Sequence, residues 1–372
     1  MLYSRHVTTL GLALVASLTS LPLAAAEEGV SPIAESDFSR SLEYTGSMIQ
    51  EPGWHIWGCS PIVGEDGKVH LFVERWPVKS ATHPRNFDES WRHDSEIAHY
   101  VGPSPEGPFV FRDVALKGTG AETWDRFGPG NPSIQKIDGK YALVYIGNPI
   151  GMTKGMGAHP TTQRIGLALA DSPDGPWRKV GADGKALDSS SDPKHWTYGG
   201  QVVNPALLKH PDGRYLLYYK GKGAKMGVAI ATKLEGPYIH EPTPFTRNSR
   251  TIEDGYAFAT GGKFYFLTTD NHGIGIRGGG LLWQSADGVV FDPTPTVGFK
   301  TPRFYLPPVD PKQVRNYYAA GTFQRPQVLM RKGKPAYLYV ASGTVINGGD
   351  GTVCYVLRCK DTPDVSGGPI SR

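Results

Sequence analysis

The chain has 372 residues with 39 Lys plus Arg against 35 Asp plus Glu, a formal net charge of +4. Its basic residues are dispersed, whereas nucleic-acid binding needs them gathered on one face or stripe. Nothing after Ala26 approaches the about 18 consecutive apolar residues of a membrane-spanning helix, so no membrane span is expected in the mature chain.

Residues 1–26 read as a secretory leader: Arg5 and His6 come first, an apolar run follows over 10–23, and Ala24-Ala25-Ala26 makes a small-residue cleavage site. The mature protein is expected to start at Glu27, to be periplasmic or secreted, and to carry a net charge of about +3 once Arg5 is gone. Residues 27–50 form a lead segment, 51–361 a single repeating domain, and 362–372 a tail. Short helical turns are expected only between 34 and 48 and near 311–319.

One pattern recurs five times in the repeating domain. It starts at Ser60-Pro61, Asn131-Pro132, Asn204-Pro205, Asp254-Gly255 and Arg325-Pro326. Tight turns around Gly67, Gly139, Gly213, Gly262 and Gly333 then lead into apolar and aromatic strands at 69–73, 141–145, 215–219, 264–268 and 336–340. Third strands follow at 96–100, 165–169, 226–230, 280–283 and 353–357. A second turn follows in four of the repeats, as in Ser172-Pro173-Asp174-Gly175-Pro176-Trp177. An interval of roughly 70 residues is too long for a solenoid unit and suits a propeller blade with insertions. The expected fold is all-β, a five-bladed β-propeller with four-stranded antiparallel blades. Insertions at 77–94, 117–129, 148–163, 183–200, 270–279 and 296–322 are where binding groups are expected, because loops on a rigid scaffold carry them.

Three cysteines do not make a disulfide framework. Cys354 and Cys359 share one strand and lie roughly 16 Å apart, too far to bond. Cys59 can reach either only if the first and last repeats are adjacent, as in a closed ring; buried free thiols are the alternative.

Over residues 50–360 the X-Pro starts, the Asp-Gly-Lys-aromatic strands and the Ser-Pro-Asp-Gly-Pro-Trp turn resemble the five-bladed propeller glycosidases of glycoside hydrolase family 43 and its relatives, families 32, 62 and 117. The resemblance implies a central pocket in which carboxylates at Asp-Pro-like positions act as base, pKa modulator and acid. Here those positions read Ser60, Asn131, Asn204, Asp254 and Arg325, so only the fourth keeps a carboxylate. Glycoside hydrolysis needs two carboxyl groups, one protonated and one ionised. Asp254 and Glu96 are the first pair to consider, followed by Glu253 and Asp94; Glu74 and Asp270 end two second strands. Glu253 and Asp254 can serve one pocket only where their strand is distorted, because strand neighbours face opposite ways.

His93 suits a proton shuttle or a bond to a sugar hydroxyl. Arg325 must meet an acid of the ring or an anionic substrate group. Asn131, Asn204 and Ser60 offer hydroxyl recognition, and Trp57 and Trp76 flat faces for a sugar ring. Each has a plainer reading: turn caps, ion pairs, blade-edge charges, or aromatic packing between blades. Zinc-ligand spacings, P-loops, nucleophile elbows and dinucleotide fingerprints are absent from the sequence. No cofactor is expected to be required; related propellers hold calcium in the central channel, but no acidic cluster here specifies it.

The sequence therefore points to an exported, exo-leaning, inverting glycoside hydrolase acting on an oligosaccharide or polysaccharide of plant or algal origin, neutral or anionic. The alternatives are a polysaccharide lyase, with His93 or a tyrosine removing a proton beside a uronate held by Arg325, and a non-catalytic carbohydrate-binding propeller.

Overall fold

The computed structural model describes residues 33–79, 87–149, 162–307, 321–343 and 351–360. The leader, the turn expected near 311–319 and the tail lie outside them. Helix α1 (Asp37–Ser41) starts at Ser36, whose hydroxyl caps it by accepting from Ser39 N at 3.0 Å. Strand β1 (Leu42–Ile49) follows.

Each later group of strands forms one antiparallel blade from the inside outward. Blade one is β2 (Trp54–Val63), β3 (Val69–Pro77), β4 (Glu96–Gly102) and β5 (Val110–Leu116), with helix α2 (Phe87–Asp94) between β3 and β4. Blade two is β6 (Gly130–Ile137), β7 (Lys140–Gly147), β8 (Arg164–Ala170) and β9 (Arg178–Leu187). Blade three is β10 (Val203–Lys209), β11 (Tyr215–Lys220), β12 (Met226–Ala231) and β13 (Ile239–His240). Blade four is β14 (Glu253–Thr260), β15 (Lys263–Thr269), β16 (Gly280–Ser285) and β17 (Thr296–Phe299). Blade five takes β18 (Gln324–Arg331), β19 (Lys334–Ser342) and β20 (Val353–Cys359), and borrows β1 as its outer strand. The lead segment is thus part of the ring, with Leu42 paired to Cys359 and Ile49 to Cys354.

The repeated turns have the backbone their glycines demand. Gly67, Gly139, Gly213, Gly262 and Gly333 all have positive φ, and in three blades the residue before them does too (Asp138, Gly261, Lys332). Two left-handed residues in succession make the hairpin whose twist matches the strands. The second turn fastens blades together: Tyr339 donates its hydroxyl to Pro105 O at 2.5 Å, and Tyr218 to Gly288 O at 2.8 Å. Apolar clusters fill the seams, such as Leu71, Val73 and Tyr100 of blade one against Tyr339 and Val356 of blade five.

One expectation changes. Residues 87–94 form a helix where only an irregular insertion was expected, because an eight-residue element carries too little periodicity to read. Of the two readings left open for the cysteines, the buried free thiols hold: all three are free and buried although blades one and five adjoin. Burial pushes the Cys59 thiol well above its ordinary value, with Cys354 beside it. Among the described residues no helix is long and apolar enough to cross a membrane.

Candidate active site

The innermost strands share one irregularity. Each shifts register near its start, between Trp57 and Cys59, Gly130 and Ser133, Val203 and Ala206, Glu253 and Tyr256, and Gln324 and Gln327. In each bulge sits a left-handed residue: Gly58, Asn131, Asn204, Asp254 or Arg325, with φ of 57°, 53°, 54°, 56° and 52°. The blade-one member is therefore Gly58 and not Ser60. Pro61 misleads, standing two residues further along than the prolines after Asn131, Asn204 and Arg325. Ser60 lies deeper, donating to Gln327 Oε1 at 2.8 Å and accepting from Ile134 N at 3.0 Å, so its hydroxyl is spent on the ring itself.

These bulges bring four of the sequence candidates together. Asn131 Nδ2 donates to Asn204 Oδ1 at 2.6 Å, and Asn204 Nδ2 to Asp254 Oδ1 at 3.1 Å. Arg325 donates to the same carboxylate twice, from Nη1 to Oδ1 and from N to Oδ2, both at 3.2 Å. The chain ends over Gly58, where an added Cβ would stand 3.2 Å from Arg325 Nε. Arginine rarely adopts left-handed backbone, and its pairing with Asp254 offsets that strain.

Glu74, at the end of β3, completes the cluster. Its Oε2 accepts from Asn131 N at 2.6 Å, and its carboxyl covers Gly130, where a Cβ would come within 2.8 Å of Oε1. Burial pushes this carboxyl up from 4.5 to about 7, with Asp254 adding to the shift while Asn131 N and Arg325 oppose it. Burial also raises Asp254, with Glu253 contributing and Arg325 working against it. Two buried carboxyl groups of this kind suit acid/base work, since burial raises the proton affinity of both. Glu74 could have ranked higher from sequence, as it ends the strand before the longest insertion of blade one, but its partner is a backbone N–H 57 residues away.

Above this floor lies a polar rim. The bulge in β14 supplies the distortion that Glu253 needed: it pairs with Lys220 while its Oε2 accepts from Asn271 Nδ2 at 3.1 Å. Burial would raise Glu253, but Lys220 and Asn271 outweigh it and hold the carboxyl below its ordinary value. Gln324 Nε2 donates to Asn271 Oδ1 at 3.2 Å. On the far side, α2 carries His93, whose Nδ1 lies 2.8 Å from Asp94 Oδ1 and whose ring leans on Phe127. His93 O accepts from Gly128 N just ahead of β6, placing this pair beside the entry of blade two.

Other candidates fall elsewhere. Glu96 accepts from Arg75 Nε and Nη2 at 3.0 and 2.8 Å, and its second oxygen faces Lys117 Nζ at 3.1 Å. Arg75 in turn bonds Glu51 and Tyr100 and is sandwiched between Trp54 and Phe111. Glu96 is thus committed to an ion-pair cluster and has no contact with Asp254. Trp76 is 1% exposed, stacked on His55 and edge-on to Trp57, and Trp57 is itself buried. Neither offers a free face; Trp91 of α2 packs on both and is only partly buried. Asp270 accepts from Ile274 N and Gly275 N, shaping its loop.

No protein-family model matches the sequence, and no curated protein does either. Solved structures do match. A family 117 glycoside hydrolase from the marine bacterium Zobellia galactanivorans is 17% identical at a TM-score of 0.58, covering 91% of this chain and 97% of its own. A xylan β-1,4-xylosidase from Bacillus halodurans is 15% identical at 0.56, covering 89% of this chain and 60% of its own. An exo-1,5-α-L-arabinanase from a bovine ruminal metagenomic library is 12% identical at 0.53, covering 84% and 94%. The resemblance carried by the repeats holds at the level of architecture: this chain has the five-bladed propeller fold of glycoside hydrolases of families 43 and 117.

Proposed function

We propose that the protein is a glycoside hydrolase, exported by its leader, that cleaves sugar units from the ends of plant or algal polysaccharide fragments. The observation that carries this reading is that Glu74 and Asp254, both buried and both raised by burial, are joined through the hydrogen bonds of Asn131 and Asn204. Glu74, raised to about 7, keeps its proton at mildly acidic pH and delivers it to the glycosidic oxygen. Asp254, facing the Arg325 guanidinium, is the ionised partner that activates water. Asn131 and Asn204 relay hydrogen bonds between them, and Glu253, Lys220, Asn271 and His93 meet sugar hydroxyls at the rim. The activities of two structural neighbours, an arabinanase and a xylosidase, support pentosides as the first substrates to try.

The test is steady-state kinetics on a panel of aryl glycosides and oligosaccharides. Glu74→Gln and Asp254→Asn should each lower kcat by at least about 10²-fold, the usual contribution of a general acid or base. Losses under tenfold in both would sink the assignment. A product absorbing in the ultraviolet would instead indicate a lyase, which draws no support from these neighbours. Binding without turnover would indicate a non-catalytic propeller, the outcome that the bare Gly58 position favours.

A further inference from the structure

A second cluster lies at the end of blade one away from the central site, where β2 turns into β3. His70 on β3 and His99 on β4 are both buried, and Asp174 reaches them from the turn after β8 in blade two. Ligand atoms of the three lie within 4.8 Å of one another. His70 Nδ1 faces His99 Nε2 at 2.8 Å, while His70 Nε2 lies 3.2 Å from Asp66 Oδ1. If His70 donates its one proton to Asp66, as imidazoles bound to metal donate theirs to a carboxylate, Nδ1 presents a lone pair toward His99.

His99 adds the independent observation. Its ring is 0% exposed and lies flat against Phe72, yet Nδ1 has no hydrogen-bond partner. Asp113 Oδ1 at 3.3 Å and Asp174 Oδ1 at 3.9 Å flank it without hydrogen-bond geometry. Nδ1 is the nitrogen turned away from His70, so Asp113 can steady the ring from that side as an outer partner while Nε2, which meets His70 Nδ1, is the one left to bind a metal. A cleft of about 120 Å³ leads to His70 between Glu65, Asp66, Asp171 and Asp174, of which Glu65 and Asp171 pair with Lys136 and Lys140.

We propose that His70, His99 and Asp174 bind a divalent transition-metal ion, zinc by preference, which ties blade one to blade two. Two imidazoles and a carboxylate are a zinc donor set, with water left for the fourth position. Metal–nitrogen bonds of about 2.0–2.1 Å in a tetrahedron require the two ring nitrogens to part by roughly half an ångström from 2.8 Å, a small ring rotation. Arg112, whose Nε binds Asp174 Oδ1 at 2.8 Å, must swing away; its side chain is half exposed and can do so. Lys68, 3.9 Å from Asp66, and Lys136 and Lys140, paired with Glu65 and Asp171, are further cations nearby.

The test uses the tag-free full chain, stripped with chelator and titrated with zinc by calorimetry, with Tm followed in parallel. One ion should bind per chain and raise Tm. Asp174→Asn, on an exposed turn and safe for folding, and His70→Gln should each weaken binding at least tenfold. Asp66→Asn should weaken it about 10–100-fold, as loss of an outer partner does. Asp171→Asn, which lines the cleft alone, should leave affinity unchanged. Absence of saturable binding, or equal affinity in wild type, Asp174→Asn and His70→Gln, would overturn the site and leave His70 and His99 as a proton-sharing pair. Because the readout is binding, failure here says nothing about Glu74 and Asp254.

Discussion

Arg325 closes over Gly58: its Nε lies 3.2 Å from where a Cβ on residue 58 would be, and both Nε and Nη2 are buried without an acceptor. Gly58→Asp should therefore be tolerated. Asn131, Asn204 and Asp254 hold the same left-handed backbone at the equivalent positions, and a carboxylate there would give those two nitrogens an acceptor. Urea midpoints should place Gly58→Asp within about 1 kcal/mol of wild type and Gly58→Val lower by at least about 2 kcal/mol, since β-branched residues fit that backbone worst. Equal stability of the two variants would contradict the role given to the bulge.

Glu74 makes stability depend on pH. Unfolded, it ionises near 4.5, whereas folded it keeps its proton to about 7. Its stabilising contribution is therefore complete below pH 4.5 and is lost as pH rises through 7. Full loss amounts to at most about 3 kcal/mol. Unfolding free energies at pH 4.5, 6 and 8 should fall more steeply in wild type than in Glu74→Gln; parallel profiles would refute the raised carboxyl.

Glu96 should behave as a structural acid. Glu96→Gln leaves Arg75 with Glu51 and Tyr100, so the expected cost is about 1–3 kcal/mol. The same variant should keep kcat within about tenfold of wild type, where a general acid or base would not. Kinetics and thermal melts on one preparation separate the two.

Trp76→Ala should cost about 3–5 kcal/mol by leaving a cavity against His55 and Trp57. A sugar platform would show the reverse pattern, with a large rise in KM and little change in Tm. Calorimetric melts beside KM on the best substrate distinguish them.

Repetition made the blades legible before any coordinates. Gly139, Gly262 and Gly333 sit in hairpins that only a few residue types can turn, and such turns announce strands on both sides. The centre was legible where a bulge carries a side chain, at Asn131, Asn204, Asp254 and Arg325. It was illegible at Gly58, which has no side chain to notice and lacks the proline that marks most of its counterparts. Glu74 was hidden differently: an acid within β3 gains its raised proton affinity from burial, with Asp254 of blade four adding to it, and neither is written locally. Glu96 drew notice for its company of charges, and that company turned out to be its partners in an ion-pair cluster.

The pairing of β1 with β20 has a consequence for assembly. Leu42 and Cys359 are joined across almost the whole described chain, so this ladder forms only after the last blade has been made. Until then β1 has no neighbour to pair with and the outer edge of β20 is open, a template for wrong partners. Contacts of such long sequence separation also slow folding. The first strand of the ring to be synthesised is thus the last to find its place, and ring closure waits until the whole polypeptide has been made.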